Sequence, residues 1–93
     1  MLTAVVLGLL GGIMAGNALP HFVRGITKQR YPNLWGGGPI PNVVAGWGGL
    51  VIAAILLHYA FHDRPGWWAF AATSLGVLLI GLFHAGPGAF GKR

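Results

Sequence analysis

The chain has 93 residues, of which 55% are hydrophobic and only 8% charged, with one acidic side chain, Asp63, against six Lys or Arg and a formal net charge of +5. A soluble domain carries roughly 25% charged residues, so this composition excludes a water-soluble globule and, with it, the basic face of a soluble nucleic-acid-binding fold. Cysteine is absent, which removes disulfides, thiolate nucleophiles and Cys-based metal sites.

Residues 2–23 form an uncharged apolar run whose only strongly polar members before His21 are Thr3 and Asn17. Its length matches the roughly 20 residues that cross a hydrocarbon core about 30 Å thick. A cleaved signal peptide would carry its basic region ahead of the apolar one, whereas the first side-chain positive charge, Arg24, follows it. The run therefore reads as a permanent transmembrane helix, bent or ended by Pro20. Gly8, Gly12 and Gly16 recur at four-residue intervals and form a doubled G-x-x-x-G on one face. In lipid, such a groove lets two backbones approach closely enough for dispersion contacts to hold them. The pattern leaves open whether the partner helix belongs to the same chain.

Residues 24–42, RGITKQRYPNLWGGGPIPN, hold three basic residues, three prolines and a glycine triplet, and read as a connecting loop. The stretch from His21 to Tyr31 could lie as a short basic helix at the headgroups, although Gly25 and Thr27 disfavour it. Second and third spans follow over residues 43–62 and 67–85, separated by Asp63-Arg64-Pro65-Gly66. So short a connection, holding Pro and Gly, requires a tight antiparallel hairpin. Small residues again recur at four-residue spacing, as Ala45, Gly49 and Ala53 in the second span and as Ala72 and Gly76, then Gly81 and Ala85, in the third. Tyr59, Phe61, Trp67 and Trp68 flank the turn, and Trp35 and Trp47 lie beside the long loop, as an aromatic belt requires.

Three spans put Arg24, Lys28, Arg30, Lys92 and Arg93 on one side, against Arg64 beside Asp63 on the other. The positive-inside rule then places the long loop and the C-terminus in the cytoplasm and the N-terminus outside, in the cell's inner membrane. The same five basic residues are candidates for contact with anionic headgroups.

Histidine is the residue type most able to carry chemistry here. His58 and His62 are one turn apart near the outer end of the second span, on the face opposite Ala45, Gly49 and Ala53, and His21 and His84 fall toward the inner end. Paired His can chelate metal or ligate haem. No Glu or Cys exists to complete a first shell, and Asp63 is the sole acidic neighbour. Hydrogen-bonded or interfacial histidines are the simpler reading, so no metal or haem cofactor is expected. The stretch from Gly86 to Lys92 imitates the opening of a phosphate-binding loop, but Arg93 stands where Ser or Thr is required. Ser74, the single serine, has no neighbouring base, and none of the spans contains the carboxylate that coupled transport commonly uses. The chain thus departs from small multidrug exporters, which have four helices and an embedded Glu.

The segment Gly16-Asn17-Ala18-Leu19-Pro20-His21-Phe22-Val23-x-Gly25 resembles one that recurs in small bacterial multi-pass membrane proteins. The resemblance covers the first helix and its exit, implies a bacterial membrane protein, and brings no function with it. Asn17, Pro20 and His21 read either as a helix-exit cap with an interfacial His or as a substrate site at a broken helix. The expected fold is an all-α membrane protein of three helices. The expected role is non-enzymatic helix association, as a homo-oligomer or an accessory subunit of a larger complex, with an oligomeric transporter or channel and a His-ligated redox subunit as alternatives.

Overall fold

Three helices account for the chain over residues 1–86, which the computed structural model describes: α1 (Leu2–Ile26), α2 (Pro39–Ala60) and α3 (Trp67–Ala85). At about 1.5 Å per residue they are roughly 28 to 38 Å long, and each is long and apolar enough to cross a membrane. Lys92, Arg93 and all but the first residue of the Gly86–Lys92 motif lie outside the described residues.

Three helix ends differ from the expected boundaries, for local reasons. α1 does not stop at Pro20 or at Val23 but runs on to Ile26. It closes in a Schellman motif, in which Gln29 N–H donates to Arg24 O (2.8 Å) and Lys28 N–H to Gly25 O (3.1 Å). Lys28 takes the left-handed position with φ 61°, where glycine is usual. The Thr27 hydroxyl adds a bond to Val23 O (2.8 Å), so the basic stretch forms no separate helix. α2 begins four residues before the expected Val43, because Pro39 occupies the first turn, where its missing N–H costs nothing. It ends at Ala60, which puts His62 in the turn rather than on the helix.

α2 and α3 are the arms of the expected hairpin, but α1 lies between them and supplies nearly all of their packing. The antiparallel α1/α2 seam runs from Gly11 against Leu57, through Ala18 against Gly49, to Gly25 against Val43. The parallel α1/α3 seam runs from Gly8 against Ala69 and Ala72, through Gly12 against Thr73, to Gly16 against Val77 and Ile80.

The interior inverts that of a water-soluble protein. Every buried hydrophobic side chain among the described residues is an alanine, and the largest fully buried side chain is Asn42, while Leu2, Phe70, Leu78 and Leu82 face outward. Small residues inside permit close helix approach, and large apolar ones outside are solvated by lipid. The protein is a membrane-embedded three-helix bundle.

Candidate functional site

The sealed half of the bundle lies at the hairpin end. Ala4, Ala60 and Ala69 pack together under Leu7 and Trp68, and Trp67 stacks on Trp68 with ring centroids 3.9 Å apart. Asp63 lies at this end, 3.3 Å from the Met1 amine. His58 and His62 are also here, both exposed, with ring centroids 5.4 Å apart.

The polar groups gather at the opposite end, where the loop folds back over the helices. Asn42 sits at the start of α2 with 0% of its surface exposed. Its Nδ2 lies 2.9 Å from Tyr31 O, 3.2 Å from Gly37 O and 2.9 Å from Gly38 O. Three carbonyl acceptors fix the amide's orientation, so the oxygen faces His21 Nδ1 at 2.6 Å and that nitrogen carries the hydrogen. His21 therefore offers only Nε2 to anything else nearby. Asn33 Nδ2 donates to Pro41 O (3.1 Å), and Gly36, at φ 114°, allows the loop to reverse.

Tyr31 connects this knot to α3. Its ring meets His21 edge-on at 5.0 Å, and its hydroxyl lies 3.4 Å from His84 Nδ1. His84 Nε2 lies 2.9 Å from Asn17 Oδ1. With Nε2–H donating to Asn17, Nδ1 accepts from the Tyr31 hydroxyl, and both His84 nitrogens are occupied in the neutral ring. The Arg24 guanidinium lies over the Tyr31 ring, 5.4 Å from its centroid.

Two clefts flank this network. One, of about 650 Å³, lies between α1, α2 and the loop, with Asn17, His21, Trp35, Ala45, Trp47 and Gly48 among its walls. The other, of about 730 Å³, lies between α1, α3 and the loop, and is lined by Arg24, Arg30, His21, Tyr31, His84 and Gly81 among others. A side-chain carbon added at Gly48 or Gly81 would meet nothing within 4 Å. Each of these glycines lines a cleft with open space before it.

Gly8, Gly12 and Gly16 face α3, opposite Ala72 and Gly76, so this glycine groove is filled by the chain's own helix. On α2 the buried residues and close approaches toward α1 are Asn42, Gly46, Gly49 and Ala53, and Ala45 lines the cleft beside them. Gly46 is where the backbone of Phe22 comes closest, and Ala45 turns toward the smaller cleft. Arg24 and Arg30 reach the larger cleft, and Lys28 is exposed in the same loop. The four histidines divide into two pairs at opposite ends. Among the described residues no three His, Asp or Glu side chains gather closely enough to hold a metal ion.

Tyr31 and Asn42 are the site residues that sequence reasoning missed. Asn42 carries a readable signal, because it falls four residues before Gly46 and seven before Gly49, a polar residue in register with a packing stripe. No family model matches the chain, and no curated protein or solved structure matches it.

Proposed function

We propose that the protein is a non-catalytic accessory component of the membrane, working through the open, basic end of its bundle with further copies of itself or with a larger membrane complex. The observation that carries this reading is the contrast between the two ends. Toward the hairpin, α1 is sealed against α3 so closely that a side-chain carbon at Gly8 or Gly12 would lie within 3 Å of backbone oxygen. Toward the loop, Gly48 and Gly81 leave two clefts that can accept groups from another molecule with no rearrangement of the helices. The glycine groove of α1, spent within the chain, is not the surface this role uses.

The sealed end also argues against transport by a single chain, since a path between α1 and α3 would have to pass the Gly12–Thr73 contact. Ser74 is exposed on the outside of α3, away from the histidines of the clefts, which supports a role without catalysis. Purification in mild detergent with mass determination of the intact assembly tests the reading. The expected result is a discrete particle larger than one chain. A uniform monomer that by itself conducts ions or solutes in liposomes would overturn it.

The orientation belongs to the same proposal, supported by Arg24, Lys28 and Arg30 at one end against Arg64 at the other. Cysteines introduced singly at Thr27 and Gly66 are expected to label from opposite sides of intact cells, with Gly66→Cys reached from outside. Labelling of Gly66→Cys only after permeabilisation would reverse the assignment.

A further inference from the structure

We propose that the cleft between the loop-side ends of α1 and α3 is a binding site for the phosphate of an anionic phospholipid. The inference concerns a ligand, and it holds whether the protein works alone or in an assembly.

Arg24 and Arg30 both line this cleft. The chain's single acidic side chain, Asp63, lies at the far end beside the Met1 amine, so no side-chain carboxylate of this protein can neutralise them. Arg24 is positioned without being compensated: Nη1 donates to the neutral Gln29 Oε1 at 3.1 Å, and the guanidinium rests over the Tyr31 ring. Two positive charges, of which Arg24 is held by these contacts, beside a low-dielectric bundle attract an external anion more strongly than they would in open water. Guanidinium groups match phosphate oxygens in a two-pronged geometry.

The remaining polar groups favour an anion over a metal. Both His84 nitrogens are engaged, by Asn17 and Tyr31, and His21 Nδ1 is engaged by Asn42. Only His21 Nε2 is left to take part, and one nitrogen is no chelate.

The apolar wall points to a lipid rather than to a dissolved ion. Pro20, Gly81 and Ala85 form an apolar part of the cleft wall. Leu82, 60% exposed, lies between Gly81 and Ala85 on the same face of α3, and Leu78, 56% exposed, continues that face toward the bilayer centre. An acyl chain attached to a phosphate held by the two arginines has this lane to follow. Basic pockets between helices at a headgroup boundary are suited to such ligands.

The test is native mass spectrometry of the full chain in mild detergent, with phosphatidylglycerol, phosphatidylcholine or inorganic phosphate as the added probe. Phosphatidylglycerol is expected to bind one per chain, and phosphatidylcholine at least about tenfold more weakly. Arg24→Gln combined with Arg30→Gln should weaken phosphatidylglycerol binding by at least about tenfold, while Arg64→Gln at the other end leaves it unchanged. Gly81→Leu fills the cleft without altering charge and should weaken binding similarly. Gly48→Leu, the same change in the other cleft, should not. Because both glycines face open space, neither variant threatens the fold. Equal binding of phosphatidylcholine, or parental binding by the double arginine variant or by Gly81→Leu, would overturn the site. Displacement of the lipid by inorganic phosphate at matching concentration would overturn the lipid assignment and leave a site for free phosphate.

Discussion

Gly12→Ile is expected to insert into the membrane as the parent chain does and then to fold less stably by about 1–3 kcal/mol, the cost of overpacking a fitted interior. Isoleucine is at least as favourable in a span as glycine, so insertion is not the step affected. The obstacle lies between helices. A carbon at Gly12 would stand 2.2 Å from Thr73 O, 3.0 Å from Thr73 C and 3.1 Å from Thr73 Cα, all of them backbone atoms that no rotamer change can move. Gly76 meets the same limit from the other side, with Leu9 O at 2.5 Å and Ile13 N at 2.9 Å. The seam must open along its length, loosening the neighbouring Gly8 contacts as well. Leu10→Ile is the control, because Leu10 faces outward and such a change usually costs less than about 0.5 kcal/mol. Unfolding of both variants by a denaturing detergent measures the difference. Equal stability of the two would mean that the α1/α3 seam is not packed as described.

Asn42→Ala is expected to cost about 1–3 kcal/mol, in the range for leaving buried polar groups without partners. One amide serves four groups here, Tyr31 O, Gly37 O, Gly38 O and His21 Nδ1–H, all at the covered end of the loop. Its removal should free the loop from α2 and raise hydrogen exchange at Tyr31, whose N–H is bonded to Gly37 O (3.0 Å). Asn42→Asp should be worse than Asn42→Ala, because a carboxylate placed against three carbonyl oxygens is repelled where the amide donated. Asn42→Asp matching the parent in stability and exchange would show that the amide does not hold the loop.

The three spans were legible because apolar runs bounded by charge and turn residues leave a membrane chain few choices. The end of α1 and the start of α2 were not: Lys28 takes the left-handed cap position where glycine is usual, and Pro39 opens α2 from a stretch whose prolines and glycines read as loop. The glycine face of α1 was visible in its spacing, but its partner was not. Spacing describes one surface, and only the fold decides that α3 covers it. Ala45 and Gly46 are adjacent and both small, so the choice between them depended on the line along which Phe22 approaches. The polar network was the least readable part, because Asn17, Tyr31, Asn42 and His84 come from four separate stretches of chain and meet only when the loop folds back.

Both small-residue seams close within one chain, around α1. Paired cysteines in this Cys-free sequence test it: Ala4→Cys with Ala69→Cys across α1 and α3, and Ala4→Cys with Ala60→Cys across α1 and α2. Two differently tagged copies of each double variant are expressed together, oxidised in the membrane and separated without reductant. Both pairs are expected to form disulfides that run as single chains carrying one tag. Disulfides found only between the two tagged copies would move the glycine grooves from the fold of the protomer to its assembly.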